Sequence, residues 1–307
     1  MVGPRSRLLR RRWVQCAWCC CAAGLVVIVW YSVHAFRLST VRPISTTEMI
    51  AAMAQVSSAS DDTIIVTAVN SHLFDLLLLR RKALELNYQR HVELLSFIVC
   101  LDRPCVLLCR RHNVPNCHFT EQYQHTKKSG MFTKEYIRIN YEKFQILEHA
   151  LTVSKNALLL DTDVLLFRNP WPHILRTGHA VHWQHEGRAD GQCNVTDARY
   201  GPNGGVLYVS QNATSFFSAF YQYEDIIMHA QFMNETDQAF ILPAVLDSGT
   251  DGCPLDSTLF VGKCQYGRDR RANFRSIISF HATCTAHRRK HRVLNEFIRQ
   301  TRVAQML

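Results

Sequence analysis

The run Leu158-Leu159-Leu160-Asp161-Thr162-Asp163-Val164-Leu165-Leu166-Phe167 constrains the fold more than any other stretch of the chain. Two carboxylates, one residue apart, separate two apolar runs. Apolar segments of this length bounded by polar residues read as strands buried on both faces, as in parallel sheets. The aspartates then fall where a core strand opens onto solvent, and open α/β sheets bind ligands at the carboxyl ends of their strands. Two like charges beside a core are costly unless a cation neutralises them, which a hard divalent ion does through oxygen ligands. Such an ion is then free to hold a diphosphate.

The flanking pattern fits that placement. Residues 63–69 read as a first strand and 73–90 as a helix with leucines on one face. A strand over 94–101, a helix over 105–112, a strand over 117–120, a polar loop over 121–130 and a helix over 134–153 follow. Strands alternating with helices imply βαβ units and a mostly parallel sheet. Beyond Pro170-Trp171-Pro172 the pattern is mixed, with strands expected over 180–184, 205–210, 259–261 and 276–280. Helices are expected there over 215–229, 237–245 and 289–299. The fold class is α/β: one mixed sheet flanked by helices, with an N-terminal anchor.

The first residues set the compartment. Arg5, Arg7, Arg10, Arg11 and Arg12 precede the segment from Trp13 to Phe36, which contains no Asp, Glu, Lys or Arg. About 20 apolar residues suffice to cross a bilayer. The arginines mark the cytoplasmic side and Trp13, Trp18, Trp30 and Tyr31 suit the interfaces. A cleaved signal peptide is the alternative, but the apolar run exceeds the roughly 7–15 residues of a signal core. Residues 1–12 are read as a cytoplasmic tail, 13–36 as a signal anchor, 37–62 as a stem and 63–307 as one lumenal catalytic domain.

A lumenal domain agrees with three glycosylation acceptors, at Asn194, Asn212 and Asn234. Eight cysteines lie beyond the anchor, Cys100, Cys105, Cys109, Cys117, Cys193, Cys253, Cys264 and Cys284. An even count in an oxidising compartment favours disulfides. A zinc site at Cys105, Cys109 and His112 is the competing use, without a second half to complete it. Cys16, Cys19, Cys20 and Cys21 within the anchor suit palmitoylation or plain membrane packing. Of the net charge of +10, five units are the cytoplasmic arginines. The basic run Arg288, Arg289, Lys290, Arg292, Arg299 and Arg302 reads first as a solvated helix face, and second as a surface for an anionic glycan or lipid. Nucleic acid is not expected as a partner of a lumenal chain.

Four blocks in order resemble the nucleotide-diphospho-sugar transferase family, and within it the group called glycosyltransferase family 77. They are Val66 through Leu78, then Lys143-Phe144-Gln145-Ile146-Leu147 with Leu158 through Pro170. Asn203-Gly204-Gly205-Val206-Leu207-Tyr208-Val209 and Asn234-Glu235-Thr236-Asp237-Gln238-Ala239-Phe240 complete the set. The resemblance spans about residues 63–285 and implies a GT-A fold. It also implies retaining transfer from a UDP-sugar, with Mn²⁺, to a glycan or glycoprotein acceptor. A Golgi membrane enzyme of single-pass type II topology follows from it, and a homodimer is compatible with it. Galactose, xylose and arabinose are the sugars the family suggests.

The resemblance also assigns roles. Asp163 would bind the metal directly; Asp161 would bind the ribose and support the metal; His281 would complete the metal site. Thr67 and Asn70 would lie against uracil and ribose, and Lys143 would reach the donor phosphates or sugar. Asn203, Gly204 and Gly205 would form a turn bringing backbone close to the sugar, and Asp237 and Gln238 would face it. Asp237 would also be the candidate nucleophile if retention proceeds by double displacement; front-face attack needs none. Thr162 departs from the larger apolar residue common between the aspartates, and residues 247–264 and 268–271 align with nothing in the family. Two other readings compete. A haloacid-dehalogenase-type phosphatase also uses strand plus Asp-x-Asp, but that motif opens its domain, and an acidic pair follows. A lumenal scaffold or glycan-binding protein could keep the fold without activity.

Overall fold

The computed structural model describes residues 41–57, 62–89, 91–125, 133–191, 193, 201–229, 237–269 and 274–306. The signal anchor, the arginine tail, the acceptors Asn194 and Asn234, and Arg270 and Arg271 lie outside the described residues. No helix among the described residues is long and apolar enough to cross a membrane. Asn212 is described and exposed.

Helix α1 (Thr46–Val56) is followed by β1 (Thr63–Val69), α2 (Phe74–Leu86), a single turn α3 (His91–Leu94), β2 (Ser96–Cys100), α4 (Arg103–His112) and β3 (Cys117–Phe119). Then come α5 (Lys134–Leu151), β4 (Asn156–Leu160), β5 (Val164–Leu166), α6 (Trp171–Thr177), β6 (Val181–His185) and β7 (Pro202–Ser210). The described residues continue with α7 (Thr214–Tyr221), α8 (Glu224–His229), a 3-10 turn Asp237–Phe240, α9 (Ile241–Asp247), β8 (Gly252–Pro254) and β9 (Phe260–Gly262). Helix α10 (Lys263–Asp269), β10 (Ser279–His281) and α11 (His287–Met306) complete them.

The large sheet has the order β3-β2-β1-β4-β7-β6-β8. Strands β3, β2, β1 and β4 are parallel, with Val66 opposite Phe97 and Ile65 opposite Leu158. Strand β7 then runs antiparallel to β4, Leu160 opposite Val206. The chain steps outward from β1 to β3 and returns to place β4 on the other side of β1. That reversal opens a crevice at the carboxyl ends of β1 and β4.

Alternate residues of each central strand enter different cores, as a period of two requires. Ile64, Val66, Leu159, Leu207 and Val209 pack with Phe144, Phe216 and Phe220 on one face. Ile65, Leu158, Leu160, Val206 and Tyr208 pack with Trp171 and Ile278 on the other. A second sheet, ordered β5-β10-β9, has its own core, where Phe167 and Phe280 meet Leu79 of α2 and Leu294, Phe297 and Ile298 of α11.

Two expectations change. The apolar run around the aspartates is two strands in two sheets, so Asp161-Thr162-Asp163 bridges the sheets rather than ending one strand. The segment read as stem is folded over Thr46–Val56: α1 buries Met49 and Met53 fully in the main core. Burial of such side chains stabilises by about 1.5–3 kcal/mol each, which a linker would not gain. Ser45 and Glu48 cap α1 reciprocally, with Ser45 N donating to Glu48 Oε2 at 2.8 Å and Glu48 N to Ser45 Oγ at 3.2 Å. The expected disulfides form among six of the eight cysteines: Cys109 pairs with Cys117, Cys193 with Cys253 and Cys264 with Cys284. Cys100 and Cys105 remain buried thiols, and the disulfide takes Cys109 out of the zinc reading at Cys105, Cys109 and His112.

Candidate active site

Asp161 follows the last residue of β4 and Asp163 precedes the first of β5. The link between them is pinned from three sides. Asp161 N donates to Gly205 O of β7 at 2.8 Å. Thr162 Oγ1 donates to Ala68 O of β1 at 3.0 Å, which gives the small polar residue between the aspartates a structural reason. Beneath the link lies Arg80, 3% exposed, on the leucine face of α2. Its guanidinium donates to Val164 O and Thr67 Oγ1, both at 2.8 Å, and to Asp161 O. Burial lowers its pKa to about 10, against the pull of Asp161 and Asp163.

Strand β10 runs antiparallel to β5 with His281 opposite Val164, which sets the imidazole beside Asp163. Ligand atoms of Asp161, Asp163 and His281 all lie within 4.8 Å of one another. His281 Nδ1 is 2.8 Å from Gln184 Oε1, and His281 Nε2 is 3.4 Å from Asp163 Oδ1. An amide oxygen only accepts, so Nδ1 carries a proton and Nε2 is the ring nitrogen turned toward Asp163. Asp163 Oδ2 is buried. The Lys290 ammonium faces it as an ion pair at 2.6 Å. Two carboxylates and the imidazole nitrogen turned toward them form an oxygen-rich donor set that fits a divalent cation such as Mn²⁺.

The electrostatics are those of a charged cleft. Burial works against ionising Asp163, but His281 and Lys290 outweigh it and hold the carboxyl far below the usual range. Lys143, on α5, is 2.5 Å from Asp161. Burial disfavours its charge, yet Asp161 and Asp237 raise its pKa above the ordinary lysine value. Asp237 opens the 3-10 turn at 4% exposure. Burial pushes its pKa up to about 6, with Lys143 opposing the shift.

Asn203, Gly204 and Gly205 lie within β7, where the register against β6 shifts between Trp183 and Gln184. They form a bulge, not the expected turn. Asn203 Oδ1 accepts from Gly205 N at 2.8 Å and Asn203 Nδ2 donates to Glu186 at 2.7 Å. A Cβ on Gly205 would overlap the His281 ring, and one on Gly204 would sit 2.9 Å from Asp237 Oδ2. The glycines thus admit the two functional side chains to the backbone. Gln238 is half-buried beside Gly204.

Of the residues expected at the donor, Asp161, Asp163, His281, Lys143, Asp237, Gln238, Asn203, Gly204 and Gly205 converge. Asn70, at the end of β1, keeps a buried Oδ1 without a partner. Thr67 does not fit its expected place: it is fully buried and its hydroxyl holds Arg80, not a ligand. Lys290 is not the solvated residue expected; it turns into the site while Arg288, Arg289 and Arg292 stay exposed. Arg80, Gln184 and Lys290 escaped sequence reasoning. Only Arg80 left a signal, as a lone charge among Leu76, Leu77, Leu79 and Leu84 on one helix face.

The sequence profile of nucleotide-diphospho-sugar transferases matches residues 95–294, which include the aspartate link, Asp237 and His281. The chain belongs to the nucleotide-diphospho-sugar transferase family. It is therefore a glycosyltransferase, and the phosphatase reading is set aside. No curated protein matches the sequence. Solved structures similar to this transferase include a glycosyltransferase involved in glycosylation of the major capsid of PBCV-1, at 14% identity over 76% of this chain and 98% of that chain (TM-score 0.45). The galactosyltransferase LgtC in complex with donor and acceptor sugar analogues shares 17% identity over 77% and 95% (TM-score 0.44). Mouse xyloside xylosyltransferase 1, in its apo form, shares 13% over 72% and 98% (TM-score 0.43).

Proposed function

We propose that this transferase moves a sugar, with retention, from a UDP-sugar to a glycan or glycoprotein in the Golgi lumen, anchored by residues 13–36. Galactose, xylose and arabinose are the candidate sugars, and the finer likeness to family 77 belongs to the same proposal. The observation that carries the reading is the convergence of Asp161, Asp163 and a correctly oriented His281 within 4.8 Å at the crevice of the parallel half-sheet. Mn²⁺ held by these three would neutralise the charge that develops on a leaving diphosphate.

The protein's own groups do the rest. Asn70 offers an unpaired oxygen at the end of β1, where a nucleoside would lie. Lys143 holds Asp161 in place and adds positive charge beside the phosphates. Asp237 and Gln238 sit across the Gly204 backbone, as sugar-facing groups would. The test is a panel of UDP- and GDP-sugars incubated with the full-length protein and Mn²⁺. The proposal expects turnover or hydrolysis of a UDP-sugar, lost in Asp163→Asn while the protein stays folded. No binding or turnover of any donor would overturn it.

A further inference from the structure

The two aspartates are neutralised by the protein itself. Lys143 lies 2.5 Å from Asp161, Lys290 lies 2.6 Å from Asp163, and Arg80 adds a third cation beneath the link. A divalent ion entering as well would face an ammonium in contact with its own ligand, at short range and away from water, where like charges repel strongly. One cation has to leave. Arg80 is held by three hydrogen bonds at 3% exposure. The Lys143 side chain is 7% exposed, paired with Asp161 and held charged also by the field of Asp237. The Lys290 side chain is 27% exposed. It stands in the first turn of α11, beside the exposed Arg289 and His291, on a flexible four-carbon stem.

We propose that Lys290 is a tethered counter-ion that occupies the cation position at Asp163 and is displaced when a divalent ion binds. The inference rests on the reading that Asp161, Asp163 and His281 hold that ion. It adds that metal loading moves the Lys290 side chain at the start of α11. Without metal the ammonium keeps Asp163 paired, so the empty cleft does not leave a buried charge uncompensated. The affinity for metal alone is set by competition with that ammonium.

The test titrates MnCl₂ into the full-length protein without nucleotide and follows free Mn²⁺ by electron paramagnetic resonance. Lys290→Met and Lys290→Gln are expected to bind Mn²⁺ at least tenfold more tightly than the wild type, and Lys290→Arg no more tightly. A second measurement needs no variant: acylation of Lys290, read by mass spectrometry, is expected to rise when Mn²⁺ is added to the wild type. Wild-type affinity in both neutral variants, or acylation indifferent to Mn²⁺, overturns the inference. If Asp163→Asn still abolishes Mn²⁺ binding in that case, the metal reading itself survives. Absence of Mn²⁺ binding in every protein, Lys290→Met included, overturns both.

Discussion

Gln184 Oε1 lies 2.8 Å from His281 Nδ1 across the two sheets and fixes the imidazole with Nε2 toward Asp163. The amide is itself oriented, since Gln184 Nε2 donates to Phe260 O at 3.2 Å. Removing such a partner typically costs ten- to a hundredfold in metal affinity. Gln184→Leu should therefore weaken Mn²⁺ binding by about that factor, with little loss of fold. Calorimetric titration checks it, and wild-type affinity in the variant would show that the imidazole needs no such partner.

Gly205 leaves no room for a side chain, because a Cβ there would overlap the His281 ring. Gly205→Ala should displace the imidazole and destabilise by about 1–3 kcal/mol, the usual range for overpacking. Gly204→Ala meets Asp237 Oδ2 at 2.9 Å, with Ile241 and Gln238 at ordinary contact distance, and should leave Mn²⁺ affinity intact. Chemical denaturation and Mn²⁺ titration of both variants separate the two effects.

Asp237 supplies a pH dependence whose sign is fixed. Its folded pKa of about 6 lies above the free value of about 3.9, so the folded state binds the proton more tightly. That contribution is fully present below about pH 4 and is lost as pH rises through 6. Two units correspond to at most about 3 kcal/mol. The stability of Asp237→Asn relative to wild type should rise by up to that amount between pH 4 and 7. Urea denaturation across this range measures it; parallel pH profiles for the two proteins would contradict it.

Helix α1 belongs to the folded body, with Met53 fully buried. Met53→Ala should destabilise by about 2–5 kcal/mol, as core truncations do. A change within a few tenths of a kcal/mol would restore the reading of this segment as a stem. A truncation starting at residue 58 should fold less stably than one starting at residue 41.

The central strands were legible because both their faces are buried, which leaves continuous apolar runs; β1 spans the residues expected of it. The same uniformity hid the break between β4 and β5, since nothing in Leu158 to Phe167 except the aspartates distinguishes two sheets from one. Helix α1 was hidden by composition, although Ser45 and Glu48 form a capping pair that the sequence displays. Asp161 and Asp163 were recognisable from a family block, and His281 from its place at the end of a late strand. Their partners were not. Arg80, Gln184 and Lys290 act on groups far along the chain, Gln184 on a histidine 97 positions away, and pairing at that distance leaves no local pattern.

The central claim is that Asp161, Asp163 and His281 hold a divalent ion that binds a nucleotide diphosphate. Calorimetric titration of UDP into the full-length protein, with and without Mn²⁺, addresses it most directly. The account predicts UDP affinity at least tenfold higher with Mn²⁺, and no such difference in Asp163→Asn. Equal UDP affinity with and without Mn²⁺ in the wild type would contradict it.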